Sequence, residues 1–165
     1  MTYFVTDIEC DGPLTGVHSL RSIGSVAVKN NVVVSNYYVN VAPHFDSDPD
    51  TMNWWKQWPR ARASLEENMK APEVAIKEFR EWISGFERPW VFVSDTTWFD
   101  YPWIIWYMKF YQNVLFLFNG QLCFTERADL LGIEIPIEYP SMPHNALSDA
   151  QAMAKQFIHF NKRAR

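Results

Sequence analysis

The opening segment of the chain constrains its fold most. The run Tyr3-Phe4-Val5-Thr6-Asp7-Ile8-Glu9 is apolar until it ends in two acids one residue apart. Because the side chains of a β-strand alternate between its two faces, Asp7 and Glu9 point the same way. Two carboxylates this close raise each other's pKa, so the pair either faces solvent at a strand end or binds a hard cation such as Mg²⁺ or Mn²⁺. The motif alone leaves both interpretations open.

Size and composition indicate a folded globular protein. A length of 165 residues fits one domain, which we predict to cover residues 1–165. Hydrophobic residues make up 48% of the chain and aromatic residues 16%. This aromatic excess predicts a large core or an interface, and it also suits stacking against nucleic-acid bases.

Several classes of protein are not expected. The two cysteines, Cys10 and Cys123, have no Cys-x-x-Cys spacing, so we predict neither a disulfide framework nor a zinc site. Asp7 and Glu9 interrupt the first apolar run, which disfavours a signal peptide, and no segment reaches the roughly 18 uncharged apolar residues of a membrane helix. We therefore expect a soluble, cytoplasmic protein with no membrane partner.

The net charge of −4 argues at first against a nucleic-acid partner, because phosphate binding usually requires a basic surface. Two bound divalent cations would neutralise this charge and place positive charge at the site itself. The overall charge therefore does not decide the partner.

The order of elements predicts a mixed α/β sheet with helices against it. The first strand, residues 22–28 and residues 32–41 form an antiparallel meander, with a tight turn at Asn30-Asn31. A short apolar run at 90–93 predicts a buried, parallel strand, and a further strand is expected at 114–118. Hydrophobic periodicity predicts helices over 51–68 with a break at Pro59, and over 72–86, 101–111, 125–131 and 146–160.

Two later motifs also place an acid next to an apolar strand or helix, as the first strand does. Phe99-Asp100 opens a helix directly after a buried strand, and His144 precedes Asp149 by five residues where the last helix begins. Five residues correspond to about 500° around a helix, so this pair shares a side only if His144 lies in the loop before the helix, which Pro143 favours. Taken alone, His144 is an ordinary turn residue and Asp149 an exposed helical acid.

In this order the three motifs resemble those of the DEDDh exonucleases, the DnaQ-like branch of the ribonuclease H-like fold: Asp-x-Glu, Phe-Asp at a helix start, and His-x-x-x-x-Asp. The resemblance covers the chain from residue 7 to residue 149. It implies a single DEDDh exonuclease domain whose central sheet combines an antiparallel meander with parallel strands.

The resemblance also implies a chemistry: a metal-dependent 3′-to-5′ exonuclease that hydrolyses single-stranded nucleic acid, RNA slightly favoured, to nucleoside 5′-monophosphates. Two divalent ions, Mg²⁺ or Mn²⁺, would be held by the carboxylates Asp7, Glu9, Asp100 and Asp149, with Asp7 bridging both ions. His144 would be the general base, since imidazole has a pKa near the operating pH. Asp95 competes with Asp100 for the second motif, and we prefer Asp100 because Phe99 precedes it and an apolar helix follows.

The segment Met52 to Gln57 is similar to the Trp-Trp-x-x-Gln segment of a subgroup that includes ribonuclease AS-like exoribonucleases and phage exodeoxyribonucleases. It leaves RNA or DNA preference open. Ile8 and Gly12 are candidates to let the 3′-terminal nucleotide approach the backbone, and Trp54 and Trp55 to stack on a base. A core isoleucine, a turn glycine and packed tryptophans explain the same four residues.

Three other interpretations remain. One alternative is a 3′-5′ exodeoxyribonuclease of the same family. Another is a catalytically silent nucleic-acid-binding module, against which the presence of all five catalytic residue types counts. A phosphatase of the haloacid dehalogenase type also begins with paired acids, but its pair is Asp-x-Asp, and Glu9 counts against it. The aromatic excess further predicts a homodimer that completes each active site.

Overall fold

The computed structural model describes residues 1–115 and 117–164, and it contains a five-stranded sheet with helices on both faces. The strands are Thr2–Cys10 (β1), Leu20–Lys29 (β2), Val32–Asn40 (β3), Trp90–Ser94 (β4) and Gly120–Cys123 (β5). The helices are Pro49–Trp55 (α1), Pro59–Ser64 (α2), Pro72–Ser84 (α3), Thr97–Gln112 (α4), Phe124–Leu131 (α5) and Ala146–Arg163 (α6).

The sheet is mixed, as the sequence predicts. Its strand order is β3-β2-β1-β4-β5. The first three strands form an antiparallel meander, whereas β4 pairs parallel to both β1 and β5. The strand that carries the first acid pair is therefore central in the sheet.

Alternation along β1 divides the core between the two faces of the sheet. Phe4 and Ile8 pack with α3 and α4, whereas Val5 packs with α5 and α6. Asp7 and Glu9 have the same parity as Val5, so they project towards the α6 side. The two acids thus face the helix that carries Asp149.

Three predicted elements differ from the structure. The helical segment expected at 51–68 breaks at Pro59 as predicted, because a missing N–H costs nothing at the start of a helix, but its second helix ends at Ser64. Helix α4 begins at Thr97 rather than near 101, which places Asp100 inside its first turn. The strand expected at 114–118, of which residue 116 lies outside the described residues, is replaced by β5 at Gly120–Cys123. Asn119 holds the start of β4 through two hydrogen bonds, and pairing with β4 begins only after it.

A glycine allows α6 to lie against the sheet. Gly24 pairs with Asp7 across β1 and β2. A Cβ at Gly24 would lie 2.1 Å from the carbonyl carbon of Ala146, the first residue of α6. The close backbone approach fixes where the last helix begins relative to the acid pair.

In the described part of the chain, no helix is both long enough and apolar enough to cross a membrane.

Candidate active site

The acid pair of β1 lies where the sheet opens. Pairing between β1 and β4 ends at Val5 and Val93, and β4 itself ends at Ser94. Beyond that point β1 continues to Cys10 with only β2 beside it. Crevices at the carboxyl ends of parallel strands are the usual place for ligands in α/β sheets. Asp7 and Glu9 occupy this crevice.

Three of the expected acids converge there. Oxygen atoms of Asp7, Glu9 and Asp149 all lie within 4.8 Å of one another. Asp149 reaches the group because α6 begins at Ala146, directly over the strand pair β1–β2. Asp100 lies in the first turn of α4, is 2% exposed, and accepts a hydrogen bond of 3.3 Å from the Thr96 hydroxyl.

The cleft between these elements has a volume of about 460 Å³. All five residues of the expected catalytic set line it: Asp7, Glu9, Asp100, His144 and Asp149. The structure therefore brings together residues that are separated by up to 142 positions, the interval between Asp7 and Asp149.

Burial and mutual repulsion raise the pKa of each carboxyl group. Burial raises the pKa of Asp7 well above its usual range, and Glu9, Asp100 and Asp149 add to the rise. The pKa of Glu9 rises for the same reasons, burial first and then Asp149 and Asp100. Burial raises the pKa of Asp100 to about 7 and that of Asp149 to about 6. The backbone N–H groups of His144 and Asn145 oppose the rise at Asp149.

This arrangement fits a divalent cation. Asp7 Oδ2 is buried and has no hydrogen-bond partner among the residues that the structure describes. A buried, unpartnered carboxylate oxygen is unfavourable unless a proton or a cation occupies the space beside it. Mg²⁺ and Mn²⁺ prefer hard oxygen donors such as these, so the residues present suit the metal that the sequence predicts.

His144 lies in the loop before α6, as its spacing from Asp149 requires. Its φ is 61°, a left-handed conformation uncommon for residues other than glycine. Asn145 caps the helix: its side-chain oxygen accepts a hydrogen bond from the Ser148 N–H at 3.1 Å. Burial lowers the pKa of His144, which favours the neutral imidazole that can accept a proton.

The four expected substrate-binding residues have different environments. Ile8 is buried and lines the cleft. A Cβ at Gly12 would lie 2.3 Å from the His18 ring, so packing against His18 accounts for this glycine. Trp55 is 2% exposed and its indole N–H donates to the Cys10 carbonyl at 3.1 Å, which leaves no ring face for a base. Trp54 is 38% exposed and contacts His144.

Asp95 belongs to the site as well. It lies in the turn after β4, lines the cleft, and contributes to the raised pKa values of Asp7, Asp100 and Asp149. The sequence offers Asp95 and Asp100 as competing candidates for the second motif, and the structure places both residues in the cleft. Asp100 is the more buried of the two.

Among the cleft residues that the sequence did not indicate are two long polar side chains, Glu138 and Gln156. They meet because the loop before α6 folds back on that helix, with Glu138 paired to Lys155 at 3.3 Å and Gln156 donating to the Pro136 carbonyl at 3.1 Å. No motif marks a loop that becomes part of a site only through such long-range contacts.

The mixed sheet with helices on both faces defines the class of this chain by its fold, which is the ribonuclease H-like fold of solved DEDDh exonucleases. The family model described as 3'-5' exoribonuclease Rv2179c-like domain matches residues 2–159, and the chain belongs to this family. The predicted fold class and the resemblance seen in the sequence are confirmed. No curated protein matches the chain.

Solved structures share the fold at low sequence identity. The complex of E. coli exonuclease I with single-stranded DNA has a TM-score of 0.75 and 12% identity, over 98% of this chain and 40% of that one. The nuclease domain of 3′hExo, a DEDDh family member bound to rAMP, has a TM-score of 0.68 and 11% identity, covering 98% and 92% of the two chains. Exonuclease X with 5′ overhanging duplex DNA has a TM-score of 0.65 and 19% identity, covering 98% and 92%. This chain thus spans about 40% of the length of exonuclease I.

Proposed function

We propose that this chain is a metal-dependent exonuclease that removes nucleoside 5′-monophosphates from the 3′ end of single-stranded nucleic acid, with RNA favoured over DNA. The observation that carries the proposal is the convergence of the Asp7, Glu9 and Asp149 oxygens within 4.8 Å, in one cleft with Asp100 and His144. The exoribonuclease description of its family supports RNA. The DNA-bound relatives keep an exodeoxyribonuclease as the second candidate.

The four carboxylates would hold two divalent ions. Glu9 and Asp149 would ligate one, Asp100 would help to ligate the other, and Asp7 would contribute to both, which gives its unpartnered Oδ2 a role. When bound, two such ions supply charge neutralisation on the phosphate and stabilisation of the departing 3′ oxygen. Mg²⁺ and Mn²⁺ are the ions that suit this set of oxygen donors.

His144 would act as the general base. Its neutral imidazole accepts a proton from the attacking water as the water oxygen forms a bond to phosphorus. The bond between phosphorus and the 3′ oxygen of the preceding nucleotide then breaks, and that oxygen takes up a proton from solvent. The products are a nucleoside 5′-monophosphate and a chain shortened by one nucleotide.

We assign the backbone of Ile8 to contact with the terminal nucleotide, because Ile8 lines the cleft between the two acids of β1 while its side chain packs in the core. Trp55 and Gly12 are left out of this assignment, since both pack against protein atoms.

The test uses matched 5′-labelled single-stranded RNA and DNA with Mg²⁺ or Mn²⁺, and a 3′-phosphate-blocked copy of each. We expect laddered shortening from the 3′ end, faster on RNA. Asp7→Asn should abolish it, and His144→Ala should lower kcat by about 10²- to 10⁴-fold. Asp129→Asn, an exposed acid on α5, and His159→Ala, a histidine of the same helix as Asp149, are the matched controls.

Two outcomes would contradict the proposal. Undiminished cleavage by Asp7→Asn would remove this residue from the mechanism. Binding of both polymers without cleavage under either metal would instead support the silent binding module.

A further inference from the structure

The imidazole of His144 lies against two tryptophan rings from the segment between β3 and α3. Its ring centre is 4.2 Å from that of Trp58 and 4.7 Å from that of Trp54. The interplanar angles are 61° and 81°, the edge-to-face geometry that aromatic pairs favour. The two rings thus restrict how the imidazole can rotate.

The rings are themselves anchored to the strand that carries the acids. Trp54 packs edge-on against Trp55 at 5.1 Å between ring centres. Trp55 is buried, and its indole N–H donates to the carbonyl of Cys10, the residue after Glu9. The hydrogen bond from Trp55 to Cys10 and the ring contact between Trp55 and Trp54 therefore connect the end of β1 to Trp54, which touches His144.

The backbone at His144 is held separately. The side-chain amide of Asn145 donates to the Tyr38 hydroxyl at 3.1 Å and to the Ser64 hydroxyl at 3.3 Å. Tyr38 in turn donates to Asn40 at 2.7 Å. These bonds fix the Cα position of the base loop but leave the side-chain torsions of His144 free. The tryptophan rings supply the constraint that the backbone does not.

The position of Trp58 lowers the stability of the fold. Its indole N–H is buried and has no hydrogen-bond partner in the described part of the chain. Leaving a buried donor unpaired is destabilising. A ring kept in such a position fits a residue placed for function more than for stability.

We propose that Trp54 and Trp58 are positioning residues that hold the His144 imidazole in the orientation its work as a base requires. The inference rests on the proposed function, in which His144 takes the proton from the attacking water. General bases contribute only when they lie within hydrogen-bond reach of the proton they remove. A displacement of about 1 Å at such a group costs on the order of 10²-fold in rate.

The first experiment measures kcat and KM on single-stranded RNA with Mn²⁺ for Trp54→Ala, Trp54→Phe, His144→Ala and the double variant Trp54→Ala with His144→Ala. We expect Trp54→Ala to lower kcat by about 10- to 100-fold with KM changed less than about twofold. Trp54→Phe should recover most of the loss. The double variant should be no slower than His144→Ala, since both changes remove the same contribution.

Trp82→Ala is the matched control. Trp82 is a partly buried tryptophan with aromatic neighbours, but it lies on α3 in the core on the other side of the sheet. The kcat of Trp82→Ala should equal that of the unaltered protein. A rise in KM at constant kcat in Trp54→Ala would show that Trp54 contacts substrate instead, and additive losses in the double variant would also overturn the proposal.

A second measurement does not depend on activity. Tryptophan ring currents shift the proton resonances of the His144 imidazole in metal-free protein, with His159 as the internal reference. These resonances should move in Trp54→Ala and in Trp58→Phe. Full activity in His144→Ala would refute the general-base role and therefore the proposed function. Unchanged His144 resonances in both tryptophan variants would refute the positioning by tryptophan, whatever the activity.

Discussion

Asp7 is the residue at which folding and chemistry conflict most. It lies on the central strand, and its Oδ2 is buried without a protein partner among the described residues. Burial and four neighbouring carboxylates raise its pKa well above the usual range. The site is therefore stable only when protons or cations compensate its negative charge.

This charge predicts a metal-linked pH dependence of stability. Each carboxyl binds its proton more tightly in the folded state, so protonation stabilises the fold at low pH. That stabilisation is lost as the pH rises through the raised pKa values, about 6 for Asp149 and about 7 for Asp100. In EDTA, Tm should fall between pH 5 and pH 8, and Mg²⁺ should restore it more at pH 8 than at pH 5.

Calorimetry at several pH values with and without Mg²⁺ measures this effect. Asp7→Asn should flatten the pH dependence, because it removes the charge with the most neighbours. A Tm that does not change with pH in EDTA would contradict the electrostatic description of the cleft.

We expect substitutions of Asp95 and Asp100 to lower metal binding and activity by different amounts. Asp100 is the more deeply buried and would be a ligand, whereas Asp95 is less buried. The hydrogen bond to Thr96 does not distinguish them, because the same hydroxyl lies 3.0 Å from Asp95 and 3.3 Å from Asp100. We expect Asp95→Asn to weaken Mn²⁺ binding or kcat by about 10-fold, as residues beside a metal site commonly do. Asp100→Asn should lower the same quantity by at least a further tenfold. Titration calorimetry with Mn²⁺ and RNA hydrolysis measure both, and a larger loss from Asp95→Asn would reverse the assignment.

At the scale of elements, the site depends on where α6 begins. Strand β1 presents Asp7 and Glu9 towards α6, and α6 provides Asp149 in its first turn with His144 just before it. Gly24 of β2 is what allows this helix to approach the sheet. One helix terminus thus sets the relative positions of two motifs that the sequence places far apart.

Gly24→Ala tests this arrangement. The new Cβ would meet the backbone of Ala146 and Leu147 at 2.1–2.2 Å, and a backbone contact of this kind relaxes only if the helix moves. We expect a loss of about 1–3 kcal/mol in the free energy of unfolding, together with a fall in kcat. Gly120→Ala is the control, because nothing lies within 4 Å of a Cβ there. Unchanged Tm and kcat in Gly24→Ala would show that the helix start is set elsewhere.

At the scale of the whole molecule, several apolar side chains remain on the surface. Trp98 and Phe110 of α4 are 72% and 63% exposed, and Phe110 stacks on Trp106 at 4.7 Å. Large exposed apolar patches commonly mark interfaces. The exposed rings near the two ends of α4 are where we expect a homodimer to form.

Light scattering at micromolar concentration tests that expectation. We expect the mass of two chains, and Phe110→Glu should shift it to the mass of one chain. Leu130→Glu is the control, since Leu130 is an apolar residue on α5 that is exposed even more, at 79%. A single-chain mass for the unaltered protein would exclude the dimer at that concentration.

Features that follow from short-range periodicity and from the order of elements can be predicted from the amino-acid sequence. The alternation of β1 places Asp7 and Glu9 on one side, Pro143 keeps His144 out of the last helix, and the strand-helix order predicts the mixed sheet. Each of these depends on neighbours only a few residues away, so it is visible in the chain before any tertiary contact forms.

Differences in environment between similar residues become visible only when the chain is folded. Trp54 and Trp55 are adjacent in a sequence segment that treats them alike, yet Trp55 is buried beneath Cys10 and Trp54 touches His144. Gly12 packs on His18, while Gly24, which no motif marks, sets the start of α6. Such distinctions arise from contacts between residues far apart in the chain, and local propensity carries no information about them.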